Sequence, residues 1–300
     1  MHWSPALWAQ FLECVRMIDR NISEAVLPFG GMITETISDS PVLNFRSSAD
    51  GISLIIPAYN EQDRISKALD GYLPILESFG IPFEVLVVVD GNDATADIVN
   101  KYSPRETRAY KFNKKLGKGG AIKAGFNLSR YSIVGYVDSD GSLAPNDLKK
   151  LLESLAVSDC AIASRWIKGS VWIKKEPLPK ILASRLFNVL VRGMLGIPIY
   201  DTQCGAKFYR RSVLQDILHK VTVTNLTTDV DFLYHARRSG AKIREVPVNW
   251  EDDRRSKFSM VKMVSLMFIT VIGIRMMNLP LRKCIPLSLV TLFYSKFGNQ

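Results

Sequence analysis

The chain has 300 residues, 47% of them hydrophobic and 23% charged. That is the make-up of a globular protein with a sizeable core, and it excludes a mainly disordered, collagen-like or fibrous chain. Lys and Arg outnumber Asp and Glu by 39 to 29, a formal charge of +10, which attracts nucleic acid, anionic membrane or phosphorylated substrates without choosing among them.

In chain order, the first segment is an arm, residues 1–50. Leu7, Trp8, Phe11, Leu12 and Val15 recur at helical spacing, which predicts a short amphipathic helix that either docks on the main domain or touches a membrane. The start lacks the basic residues and unbroken apolar run of a signal peptide. A catalytic face on the cytoplasmic side of a membrane is therefore expected. The four cysteines, Cys14, Cys160, Cys204 and Cys284, form no CxxC pair, so neither a disulfide framework nor a thiolate zinc site is expected.

Strands and helices then alternate. ISLII (52–56) reads as a strand ending at Pro57, and 61–79 as a helix kinked near Gly71 and Pro74. FEVLVVV (83–89) reads as a buried parallel strand, with Asn92 or Asp93 placed to cap the helix that follows. TRAYKF (107–112) is a weaker strand. A helix over 119–128, the strand IVGYV (133–137), a helix opened by Pro145 and running through 155, and the strand CAIAS (160–164) complete the series. This order predicts an α/β fold, a mostly parallel sheet with helices on both faces, whose ligands bind at the carboxyl ends of the strands.

Those ends carry polar or Gly-rich clusters: PAYNE (57–61), DGNDAT (90–95), KLGKGGAIKAG (115–125) and DSDG (138–141). Asp138 and Asp140 leave their strand two residues apart. They either converge on one hard divalent ion, Mg²⁺ or Mn²⁺, that also holds a substrate's phosphates, or form a helix cap and turn. Lys118-Gly119-Gly120 opens a helix, a setting that favours anions. Neither a Walker A loop nor a dinucleotide fingerprint is present. Nucleic acid is not an expected partner, because DSDG would repel its phosphates in the absence of a metal.

Beyond the sheet, residues 160–220 hold eleven Lys and Arg against three Asp and Glu. A helix over 177–194 sets Lys180, Arg185 and Arg192 among Leu178, Ile181, Leu182, Leu186, Val189 and Leu190. It reads either as a guide for a lipid phosphate or as a core helix with a solvated charged side. Trp166 and Trp172 flank a loop that either closes over an acceptor or simply packs. Residues 260–300 contain two apolar runs, 263–274 and 285–294, flanked by basic residues. Each is shorter than the ~20 residues that cross a bilayer. Contact with a membrane surface is expected, with a buried helix pair as the alternative.

The sequence resembles the family 2 glycosyltransferases, inverting nucleotide-sugar enzymes with the GT-A fold, over residues 51–259. It is most similar to their dolichyl-phosphate glucosyltransferase and mannosyltransferase group. The resemblance is carried by SLIIPAYNEQDRI (53–65), VVVDGNDATADI (88–98), GKGGAIKAGF (117–126), YVDSDGS (136–142), ASRW (163–166), YDTQCGAKFYRR (200–211) and EVPVNW with SKFSM (245–260). It implies that Pro57, Tyr59, Glu61 and Asp90 line a nucleoside pocket beside Lys118 and Gly119. Asp138 and Asp140 would hold the metal that bridges the donor diphosphate, and Arg165 would neutralise phosphate. Gln203 and Cys204 would sit near the donor sugar, Asp229 and Asp231 would form an acidic pair near the acceptor, and Ser256 and Lys257 would belong to a basic loop over the phosphates. Two positions depart from the pattern: Ala206 replaces an aromatic residue, and Asp231 stands where Glu is frequent. The implied donor is UDP-glucose ahead of GDP-mannose, and the implied acceptor is dolichyl or another polyprenyl phosphate. A sugar hydroxyl is the alternative acceptor, for which Asp229 would be the base.

Overall fold

The computed structural model describes residues 50–102, 105–174, 177–251 and 260–278. The expected N-terminal helix, the apolar run 285–294 and the loop with Ser256 and Lys257 lie outside the described residues.

Nine strands and eight helices are described. In order they are β1 (Ile52–Ala58), α1 (Ile65–Glu77), β2 (Phe83–Val89), α2 (Thr95–Val99), β3 (Thr107–Lys111), α3 (Gly117–Leu128), β4 (Ile133–Val137), α4 (Pro145–Ser154), β5 (Cys160–Ser164), β6 (Val171–Lys174), α5 (Leu178–Leu195), β7 (Ala206–Arg210), α6 (Arg211–Ile217), α7 (Thr228–Arg238), β8 (Ile243–Pro247), β9 (Asn249–Glu251) and α8 (Met260–Met277). Seven strands form one sheet in the order β3-β2-β1-β4-β7-β5-β8, and β6 pairs with β9 beside it. The large sheet is parallel as expected, apart from β7, which runs antiparallel between β4 and β5.

Alternate residues of each central strand supply opposite faces. Leu54, Ile56, Val85 and Val87 pack with residues of α1 and α4, whereas Ile55, Leu86, Val88 and Tyr136 pack with α3, α6 and α7. Both faces are covered, which is why β2 has no polar stripe. Pro57 does not end β1, which continues to Ala58. Pairing with β4 has already stopped at Ile55, so one edge of β1 is open where proline cannot donate. Helix α1 carries Pro74 in its interior, the expected site of a local break in its hydrogen bonding.

Strand order reverses where β1 lies between β2 and β4. At such a switch point, loops leave in opposite directions and open a crevice at the carboxyl edge. A third apolar cluster joins α5, α7 and α8: Phe187, Val191, Leu195, Val230, Leu233, Met267, Val271 and Ile274 are all buried in it. The apolar run 263–274 thus lies in a helix with one face docked on the body. Among the described residues no helix is long and apolar enough to cross a membrane.

Candidate active site

The crevice is laced by side chains that leave β1 and β2. Asn60 holds a left-handed backbone, φ 55°, which asparagine tolerates better than most residues. Its Oδ1 accepts from the Asn92 N–H at 3.1 Å, and a side chain at Gly91 would collide with it. Asp93 accepts from the N–H groups of Gln62 and Thr95 at 3.0 and 3.1 Å, so it does organise the start of α2, together with the Thr95 hydroxyl. Glu61 receives a two-pronged contact from Arg64, both bonds 2.6 Å. Tyr59 is exposed, with Lys115 Nζ 5.8 Å from its ring centre. Asp90 accepts from the N–H of Leu116 at 2.8 Å and of Gly117 at 2.7 Å, anchoring the turn that opens α3. Gly119 on that helix meets Thr224 and Thr228 so closely that a Cβ has no room. The nucleoside-side candidates Pro57, Tyr59, Glu61, Asp90, Lys118 and Gly119 therefore share one edge.

Asp138 and Asp140 follow β4 at the centre of that edge. Asp138 is fixed through its backbone, N–H to Gly205 O at 2.9 Å, and its carboxylate lies where a Cβ on Gly205 would be. The glycine of DTQCG is thus required by the first aspartate of DSD. Lys118 Nζ stands 2.6 Å from Asp138 Oδ1. Burial opposes the lysine's charge, but Asp138, Asp229 and Asp140 overcome it and hold the ammonium above the ordinary range. Asp140 accepts from the Ser142 N–H at 3.0 Å, the turn contact that was the alternative reading of this motif. Burial and then the charge of Asp138 push its carboxyl up, and burial likewise raises Glu61.

Two carboxylates close enough for the charge of Asp138 to bear on Asp140 can together accept a divalent cation. Hard oxygen donors in that number fit Mg²⁺ or Mn²⁺ completed by phosphate oxygens and water. Among the described residues no three Asp, Glu, His or Cys side chains gather as a protein-only cage.

Asp229, on α7, also bears on Lys118. Asp229 is buried and accepts from the Tyr136 hydroxyl, and Lys207 Nζ is 3.5 Å from the same oxygen. Burial pushes Asp229 up to about 6, against the pull of Lys118. Asp231, the other half of the expected acidic pair, points elsewhere. Two positions along a helix differ by ~200°, so Asp231 instead accepts from the N–H groups of Thr222 and Val223 at 2.9 and 3.1 Å. It also lies 3.4 Å from His235 Nε2. Its 1% exposure and backbone partners make it a support for the 222–223 turn. The structure brings Asp138, Lys118 and Asp229 together and leaves Asp231 out.

Arg165 faces inward. Its backbone N–H and Nε donate to Asp201 Oδ2 at 2.9 and 2.8 Å, and Nη2 donates to Oδ1 at 3.0 Å. The guanidinium also lies against Trp172 and Trp250, 5.6 and 5.5 Å from their ring centres. Burial alone would raise Asp201, yet Arg165 holds it below the ordinary range. This cation therefore shapes the DTQCG turn through an internal ion pair. Cys204 is buried, its thiol pushed up to about 12 chiefly by burial. Gln203 Nε2 is a buried donor without a hydrogen-bond partner among the described residues. Trp166 and Trp172 pack at 5.1 Å between ring centres, with Arg185 over Trp166 at 5.0 Å. Asp201, Lys207 and Tyr136 were not singled out from the sequence. The available signal was AKFYR, which puts a lysine inside an otherwise buried strand.

A mostly parallel α/β sheet with an acidic pair at its switch point is the frame of a GT-A glycosyltransferase. The glucosyl-3-phosphoglycerate synthase of Mycobacterium tuberculosis, solved with Mn²⁺, uridine diphosphate and glucosyl-3-phosphoglycerate, has this fold: TM-score 0.57, 19% identity, 86% of this chain and 87% of that one covered. The mannosyl-3-phosphoglycerate synthase of Rubrobacter xylanophilus matches at TM-score 0.58 and 17% identity, over 79% and 76% of the two chains. The chain belongs to glycosyl transferase family 2, whose model matches residues 53–218. It is 33% identical over 228 residues to the Trichomonas vaginalis dolichyl-phosphate beta-glucosyltransferase ALG5A, covering 72% of this chain and 70% of that protein. It is 32% identical over 212 residues to the polyprenol monophosphomannose synthase of Mycolicibacterium smegmatis, covering 66% and 77%. With the glycosyltransferase AglD of Haloferax volcanii it shares 32% identity over 219 residues, 70% of this chain but only 35% of that longer protein.

Proposed function

We propose that this protein transfers a hexose from a nucleotide sugar to dolichyl or another polyprenyl phosphate, with inversion at the anomeric carbon. The observation that carries the reading is that Asp138 pairs with Lys118 at the switch point and Asp229 acts on the same ammonium. In this reading one carboxylate serves the donor diphosphate and the other the acceptor, and both share one cation. The names of the glucosyl and mannosyl relatives supply the substrate class.

Tyr59, Glu61 and Asp90 hold the nucleoside, and the Gln203 amide, without a hydrogen-bond partner among the described residues, donates to the donor sugar. Asp138 and Asp140 would hold Mg²⁺ or Mn²⁺, which would supply positive charge toward the leaving diphosphate. The resemblance would assign Ser256 and Lys257, outside the described residues, to the phosphates. Lys118 neutralises charge from the α3 side, a preorganised contribution to stabilising the leaving group. A phosphate monoester has its second pKa near ~6, so the acceptor is largely ionised at neutral pH and attacks without a strong base. Asp229 then positions the acceptor rather than taking a proton. UDP-glucose is the favoured donor and GDP-mannose the next.

The acceptor's lipid tail calls for a membrane surface, and α5 and α8 offer one. Leu178, Leu186, Phe268 and Met276 are large apolar side chains exposed on these two packed helices, a face suited to the interfacial region of a membrane. In this reading the catalytic body lies on the cytoplasmic side. Replacing Asp140 by Asn tests the assignment: transfer to lipid phosphate falls at least ~100-fold, and full turnover by D140N with metal chelated refutes it. A second reading, transfer to a sugar hydroxyl, draws on the same Asp229, whose pKa of about 6 suits a general base. A phosphodiester-linked hexose, released by mild acid, separates the first reading from the second.

A further inference from the structure

Lys207 is an unusual residue to find in the middle of a sheet. It is 0% exposed, on a strand inserted between β4 and β5. Burial pushes its ammonium down to about 7, so keeping it there costs stability that an apolar residue would not. No solvent-facing role explains it, and it lies too deep to meet a substrate directly.

Its contacts show what it organises. In the antiparallel β4–β7 register Lys207 stands opposite Tyr136. Directly paired residues point to the same face of a sheet, and Lys207 Nζ lies 5.6 Å from the Tyr136 ring centre. Both reach the same oxygen, Asp229 Oδ1: Tyr136 donates its hydroxyl, and Lys207 Nζ approaches to 3.5 Å. The ammonium also donates to Cys204 O at 2.6 Å. The next residue, Gly205, receives the Asp138 N–H and gives up its Cβ space to the Asp138 carboxylate. One buried cation thus touches the acceptor-side carboxylate on one side and the turn under the donor-side carboxylate on the other.

We propose that Tyr136 and Lys207 act as a cross-strand positioning pair, fixing Asp229 relative to Asp138 from beneath the catalytic edge. The pair does not contact substrate. It holds the two carboxylates at a set separation, and a misplacement of about 1 Å between reacting groups costs on the order of 10²-fold in rate. This rests on the proposed roles of Asp138 and Asp229, so the test has an arm that needs no turnover.

Tyr136→Phe removes one oxygen and keeps the ring. Lys207→Met removes the charge and keeps most of the stem. Each is measured for kcat and KM with both substrates, for nucleotide affinity, and by crystal structure alongside the wild type. The expected result is a kcat lowered about 10²-fold at unchanged nucleotide affinity, with the Asp229 carboxylate displaced or split between rotamers. Should Lys207→Met fail to fold, Tyr136→Phe alone decides. Wild-type kcat in the variants, or an Asp229 that has not moved, overturns the pair. If the wild-type protein transfers no sugar, the functional reading fails, and the crystallographic arm still decides whether the pair positions Asp229.

Discussion

Arg165 offers a sharp test because two roles for it predict different losses. The family resemblance gives it a phosphate, whereas its contacts give it Asp201. Replacing Arg165 by Met keeps a long apolar stem between Trp172 and Trp250 and removes the cation. Asp201, 0% exposed and now held below the ordinary carboxylate range by Arg165, would then be a buried charge whose main partner is gone. Breaking such a pair from one side costs about 3–5 kcal/mol. At roughly 2–4 °C per kcal/mol for a body of this size, the melting temperature falls on the order of 10 °C. Removing the stranded charge as well, in R165M/D201N, restores a large part of that loss, because residues in direct contact are not additive. Thermal unfolding by circular dichroism, with nucleotide affinity measured in parallel, reads both effects. An R165M variant that melts within about 2 °C of wild type but has lost transfer refutes the internal-pair account and returns the guanidinium to the phosphates.

Other consequences are equally direct. Gly205→Ala pushes a methyl group into the space of the Asp138 carboxylate, costing about 1–3 kcal/mol by overpacking; transfer falls further than stability does, and an active, fully stable G205A contradicts the coupling of the two motifs. Asp229 has a folded pKa of about 6, above the ~3.9 of an unfolded aspartate. The folded state therefore binds more protons between those values, and stability falls as pH rises through that window. Tyr136, Lys207 and Lys118 are the groups that face it from β4, β7 and α3. Glu245, pushed up to about 7 by burial, adds a slope of the same sign, so denaturant titrations of D229N should show a shallower pH dependence rather than none; an unaltered slope contradicts the assignment. Leu186→Glu and Phe268→Glu alter exposed apolar positions and should weaken sedimentation with anionic vesicles several-fold without changing nucleotide affinity. Undiminished vesicle binding would remove α5 and α8 from the membrane contact.

The elements that could be read in the sequence are those set by local pattern. The apolar runs of β1, β2, β4 and β5, and the Pro145 helix start, are each specified within a few residues, and so are the polar clusters at the strand ends. Strand β7 was not readable in the same way. AKFYR contains two basic residues, and its place between β4 and β5 depends on non-local pairing, with Ile133 meeting Arg210 and Cys160 meeting Tyr209. The Arg165 partner is likewise 36 positions away, and no spacing rule links them. Asp229 and Asp231 look equivalent in TTDVDF until the helix turns them to different neighbours. Residue types mark where chemistry is concentrated. Which charges are spent internally is decided by packing.

The most direct measurement of the central claim is a transfer assay. Purified protein receives dolichyl phosphate, Mg²⁺ or Mn²⁺, and labelled UDP-glucose or GDP-mannose in parallel. The account predicts label in a lipid that mild acid releases, from UDP-glucose before GDP-mannose. Nucleotide binding with no labelled lipid from either donor would contradict transfer to a polyprenyl phosphate.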